Sequence, residues 1–133
     1  MKFCPKPTDY LEDDVYDAVG FSPAVLDGDT LYISGVAPLK GGLETLDLVG
    51  IDMQSQLSAI LDVLGRILAG EGMAAANILS WTMYTSDMAA LDAAIPGILL
   101  PWLGGHKPSC TIIGCSQLFH PDQKLEISVI AKR

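Results

Sequence analysis

Apolar positions along the chain come in short runs divided by turn residues, after an opening stretch of mixed polarity. Residues 15–20, 23–27 and 30–36 carry Val, Leu, Ile and Tyr, and Asp27-Gly28 between the last two is a hairpin-turn pair, so the pattern predicts three strands in succession. Pro38 and Gly41-Gly42 then break the sheet pattern. From Asp52, a residue type suited to a helix N-cap, Leu57, Ile60, Leu61, Leu64, Ile67 and Leu68 recur at spacings of three and four. That spacing draws one apolar stripe along a helix, which Gly70 and Gly72 end.

Ile78 to Thr85 is β-branched and aromatic and predicts a further strand. Asp87 can cap a second helix running to about Leu100, with a kink or break at Pro96, because proline removes a helical hydrogen bond and crowds the preceding turn. After Gly104-Gly105, segments 109–115 and 124–131 flank a loop with His120-Pro121-Asp122 and predict a closing hairpin. The order is βββαβαββ, an α+β domain whose two helices return to the same face of a mixed sheet. The other face is left for neighbouring subunits to cover. Residues 1–14, with Pro5, Pro7 and the acidic run Glu12-Asp13-Asp14, form an N-terminal arm, and 15–133 form one domain.

Composition narrows the function more than the fold. A chain of 133 residues has the size of one core, and half of it is apolar against 18% charged, which leaves surface for a partner subunit. A net charge of −8 disfavours both nucleic acid and anionic membranes. The first residues lack the apolar stretch of a signal peptide and no apolar run approaches membrane-spanning length, so a cytoplasmic protein is expected. Cys4, Cys110 and Cys115 form no CxxC pair and are expected to be reduced thiols, and no metal or cofactor is expected.

Several ordered blocks resemble the RidA/YjgF (Rid) family, the enamine/imine deaminases formerly called endoribonuclease L-PSP. Gly20-Phe21, Asp27-Gly28-Asp29 and Leu31-Tyr32-Ile33-Ser34-Gly35 are similar to the family's first-loop aromatic and its ISG or VSG strand end. Asp52-Met53 with Gln56, Leu61 and Leu64 is similar to the family's D-I-x-x-Q helix pattern, and Gly72-Met73 through Tyr84-Thr85-Ser86-Asp87 to the strand block that follows it. Lys107-Pro108-Ser109-Cys110-Thr111-Ile112-Ile113-Gly114 resembles R-P-A-R-S/T-x-V-G, and Lys124-Leu125-Glu126-Ile127 resembles V-x-I-E-I.

The resemblance implies a chorismate-mutase-like fold, a cytoplasmic homotrimer, and small-molecule pockets between subunits with hydrolytic deaminase activity. It places Glu126 as the group that positions water, and Phe21, Ser34, Gly35, Ile95 and Cys110 around the ligand. Cys110 stands where the deaminase branch has the arginine that grips a substrate carboxylate. A guanidinium offers a planar fork of donors, a thiol one weak donor. Phe21 and Ile95 likewise replace a tyrosine and an asparagine, so the implied pocket is more apolar than is usual in the family.

Three readings follow: a deaminase-like hydrolase, a non-enzymatic ligand-binding or regulatory trimer, and a hydrolase that uses Cys110 as nucleophile. The last needs a thiol with a lowered pKa, and no cationic neighbour is evident in the sequence. His106 and His120 lie in loops beside Gly or Pro, and Trp81 and Trp102 suit core or interface packing.

Overall fold

In the computed structural model, which describes residues 1–133, the strands and helices follow in the order β1 (Lys2–Phe3), α1 (Asp13–Val19), β2 (Ala24–Asp27), β3 (Thr30–Val36), β4 (Leu39–Lys40), β5 (Asp47–Leu48), α2 (Met53–Gly70), β6 (Ile78–Thr85), α3 (Met88–Ala94), α4 (Leu100–Leu103), β7 (Ser109–Gly114) and β8 (Leu125–Lys132). Six strands form one mixed sheet in the order β1-β2-β3-β8-β6-β7, and β4 pairs with β5 apart from it. Apart from the short α1 between its first two strands, the main sheet and its helices follow the predicted βββαβαββ order, but two parts are not where the pattern put them.

The first strand is Lys2–Phe3, inside the arm, where it pairs antiparallel with β2. Residues 13–19 are helical instead. Asp13 and Asp14 sit in the first turn, where negative charge suits the helix dipole, and Val15 and Tyr16 turn inward. Gly20 closes the helix at φ 86°, its N–H donating to the Tyr16 carbonyl at 2.8 Å. These end signals outweigh the strand preference of Val and Tyr. The arm also buries Cys4, Tyr10 and Leu11 in the core.

The closing hairpin is also corrected. β7 and β8 do not pair with each other: β6 lies between them, parallel to β7 and antiparallel to β8. The apolar character of 109–115 marked a strand but carried no information on its partner.

The long helix forms as its stripe requires. The Asp52 side chain accepts from the Ser55 N–H at 2.8 Å, and Leu57, Ile60, Leu61, Leu64 and Leu68 are buried where α2 packs across β3 and β8. Alternate residues of β8 share that core, with Leu125, Ile127, Val129 and Ala131 all buried. After Ala94 the second helix widens at Ile95–Leu99 into a π-type turn, in which the Leu100 N–H reaches back to the Ile95 carbonyl. The wider turn is how the chain carries Pro96, where a regular helix would clash.

The entry to β8 is held by buried side-chain amides. Gln56, fully buried on α2, donates to the carbonyls of Gly50 and Asp122 and accepts from the Lys124 N–H at 2.7 Å. Gln123 bonds the Leu125 carbonyl and the His120 N–H, and the Thr85 hydroxyl donates to the Lys124 carbonyl. Gln56→Ala removes three bonds, leaves partly buried backbone groups without these partners and opens space in the core, so a loss of about 2–4 kcal/mol is expected in denaturant melts.

Residues paired across strands share a face, which fixes what the sheet's other side presents. Tyr32 faces Ile130 across β3 and β8, and Ile113, Tyr84 and Glu126 stand abreast on β7, β6 and β8. Tyr32, Ile113 and Ile130 are exposed. This face carries hydroxyls and apolar groups, with Glu126 and the terminal Lys132 as its charges on β8. No helix is long and apolar enough to cross a membrane.

Candidate functional site

A cavity of about 240 Å³ opens where α1, the first loop, β3 and the start of β8 meet. Its walls include Tyr10, Val15, Phe21, Ser34, Gly35, Phe119 and Glu126. Four sequence-derived site residues, Phe21, Ser34, Gly35 and Glu126, are therefore brought together. The ladder between β3 and β8 shifts register between Ile33 and Val36, and that irregularity at Ser34-Gly35 gives the Glu126 side chain its room.

Glu126 projects from the open face of β8 into this cleft. A Cβ at position 35 would sit 3.0 Å from the Glu126 Cδ and 3.1 Å from Oε2, so the carboxyl rests against bare backbone. Partial burial pushes its pKa up, and the Gln123 amide offsets part of the rise. Gly35→Ala would press the carboxyl out of place. Ligand affinity at the cleft is expected to fall by about tenfold, with a stability loss of about 1 kcal/mol, read by titration and thermal melting of the same samples.

The other polar groups of the wall are engaged. The Ser34 hydroxyl donates to the Ser22 carbonyl at 2.7 Å and ties the first loop to β3. The Tyr10 hydroxyl accepts from the Ala37 N–H at 3.0 Å, and burial, with smaller contributions from Tyr16 and Glu126, holds its proton on well above the ordinary range. Phe21 stacks on Tyr16 with ring centres 4.8 Å apart. Glu126 is the one charged side chain on these walls.

Cys110 and Ile95 are not in this cavity. Cys110 lies exposed on β7, with the whole of β6 between it and β8, so the expected placement of Glu126 on the neighbouring strand does not hold. Its register partner is Trp81, which is buried on the helix side, opposite to the face of Glu126. Partial desolvation raises the thiol's pKa, and the Trp81 side chain offsets part of that, so at neutral pH the group is a thiol and not a thiolate. Ile95 borders a separate hollow on the helix side with Met88, Leu91 and Ile112.

The histidines serve their loops. His106 Nε2 lies 2.7 Å from the Ile78 carbonyl, and His120 Nδ1 accepts from the Asp122 N–H. Trp81 and Trp102 stack at 6.1 Å. A larger cavity of about 510 Å³ near Thr8, Lys40 and Arg66 contains none of the expected site residues, and its Arg66 is already paired with Asp62 and the Thr8 carbonyl. No group of three or more His, Cys, Asp or Glu is placed to hold a metal ion.

Sequence reading missed three contributors to the cavity: Tyr10, α1 with Val15 and Val19, and Phe119 in the loop before β8. The helix could have been found from Asp13-Asp14 and Gly20 at its two ends. Tyr10 and Phe119 lie in irregular segments and carried no periodic signal.

Comparison with known proteins agrees with the fold. The profile of the family described as Endoribonuclease L-PSP matches residues 12–133. Among solved structures, TM0215 of Thermotoga maritima is similar over 100% of this chain and 98% of its own, with TM-score 0.83 and 23% identity. Rv2704 of Mycobacterium tuberculosis, a member of the YjgF/YER057c/UK114 family, covers 95% and 98% with TM-score 0.78 and 20% identity. YyfA of Yersinia pestis, a protein of unknown function in the Rid family, covers 85% and 87% with TM-score 0.75 and 24% identity. No curated protein sequence matches the chain.

Proposed function

Because the chain belongs to the endoribonuclease L-PSP (YjgF/Rid) family, we propose that it acts as a homotrimer, binds a small and largely apolar metabolite in clefts between its subunits, and hydrolyses an enamine or imine there with Glu126 as acid–base group. The observation that carries this reading is the cavity itself. It gathers Phe21, Ser34 and Gly35 around a partly buried carboxyl of raised pKa. A carboxyl so placed can take a proton from an attacking water and return one to the leaving nitrogen. The overall change is R₂C=NH₂⁺ + H₂O → R₂C=O + NH₄⁺.

Two features support the assembly. The open sheet face is nearly free of charge and carries the exposed Tyr32, Ile113 and Ile130, which a second copy can cover. Ile95 and Cys110 lie away from their own chain's Glu126, so a neighbouring copy would have to bring them to the cleft. Ribonuclease activity finds no support in an acidic chain of net charge −8.

Purified protein given freshly generated imines, with and without a carboxylate, tests the activity through ammonia release. Release above the uncatalysed rate supports deamination. Silence across the panel, with a trimer mass by light scattering, leaves the non-catalytic binding trimer, which the loss of the family arginine at Cys110 favours. A monomer at micromolar concentration would remove the shared cleft altogether.

A further inference from the structure

The Glu126 cavity has one charged group on its wall, and that group is negative. The rest of the lining is mainly aliphatic or aromatic: the Ser34 hydroxyl donates to the Ser22 carbonyl, and the Tyr10 hydroxyl, which accepts from the Ala37 N–H, carries no charge. No lysine, arginine or histidine borders it. The shallow hollow beside it, which shares Phe21 and Ser34, adds Asp17, a second acid.

Charge then sorts the ligands. A carboxylate moved into this cleft would give up water, meet no cation on these walls and approach another carboxylate. An ammonium or protonated imine would do the reverse. It supplies the cationic partner that the partly buried Glu126 lacks and makes a charge-assisted hydrogen bond with it.

We infer that the site selects a small organic cation, a protonated primary amine or its iminium on an apolar body, with no carboxylate of its own. This rests on the reading of the cavity as the ligand site and narrows its substrate class. The iminium would come from oxidation of a primary amine and not from an amino acid. The groups facing Glu126 are the Tyr10 hydroxyl from the arm, the Gly35 backbone from β3, Tyr84 from β6 and Gln123 from the preceding loop, and none of them is a cation.

Calorimetric titration of the intact protein near pH 7 with three probes on one phenethyl body tests this: phenethylamine, 3-phenylpropionamide and 3-phenylpropionate. The amine is expected to bind about tenfold tighter than the amide, and the acid weakest. Glu126→Gln should bring the amine to the level of the amide and leave the amide unchanged. Equal binding of amine and amide overturns the inference, as does amine binding that survives Glu126→Gln or no binding by any probe. The acid binding best also overturns it, and would follow if Lys107, exposed three residues before Cys110, reached the cleft from a neighbouring copy. A protein that binds the amine but releases no ammonia keeps this inference and loses the catalytic half of the proposed function. Release from 2-imino acids alone does the opposite.

Discussion

Glu126→Gln is expected to lower ammonia release from a carboxylate-free iminium by about 10²–10⁴-fold, while making the folded protein more stable at neutral pH. The amide keeps the shape of the side chain but can neither accept a proton from water nor carry one to nitrogen. The stability effect has its own sign. Burial raises the folded-state pKa of Glu126 above its ordinary value, so the group's stabilising contribution is present below the unfolded pKa and is lost as pH rises through the folded one. At neutral pH the wild type therefore holds a carboxylate in a partly desolvated place, and glutamine relieves it. Denaturant melts of both proteins between pH 4 and pH 7 should diverge as pH rises, with the variant ahead. A variant that loses activity because it unfolds would show the opposite order, so the two readouts separate a catalytic role from a structural one.

Cys110→Arg is expected to tighten binding of 2-imino acids and of 3-phenylpropionate by about 10–100-fold, and to weaken phenethylamine. The guanidinium would offer a carboxylate the two-pronged contact that a thiol cannot, and would compete with an ammonium for Glu126. In the folded chain Cys110 is two strands from Glu126 and on the opposite face. The gain can therefore arise only if a neighbouring copy presents its β7 to this cleft. A variant that is folded and trimeric but shows no new carboxylate affinity would mean that position 110 lies outside the ligand's reach.

How much of this was legible in the chain differs from element to element. The stripe from Leu57 to Leu68 specified α2 because spacing of three and four admits only one buried face, and Asp52 and the glycines at 70 and 72 marked its ends. Strands β2, β3, β6, β7 and β8 were legible as elements, yet the pairing of β7 with β6 was not. The apolar residues of β7 marked a strand without showing its neighbour, and in the single chain they are exposed. The segment 13–19 misled because Val and Tyr favour strands locally, whereas its acidic first turn and the left-handed Gly20 settle it as a helix.

The candidate cavity was half legible. Phe21, Ser34, Gly35 and Glu126 were found through ordered motifs and do meet in one cavity. Their meeting depends on the irregular register of β3 against β8, on Gln56 holding the entry to β8, and on an arm that contributes Tyr10. None of these has a periodic signature. Cys110 and Ile95 were placed at the ligand by the same motifs, but a single chain keeps them on the helix side of the sheet.

Whether Glu126 is a partly buried carboxyl that meets a ligand in this cleft is read by a carbon-13 NMR titration of its side-chain carboxyl. A pKa above the ordinary glutamate value is expected in the free protein, with a fall when phenethylamine saturates the cleft, since the bound cation favours the ionised form. A carboxyl that titrates at the ordinary value, or one whose titration is unmoved by the amine, would contradict this reading.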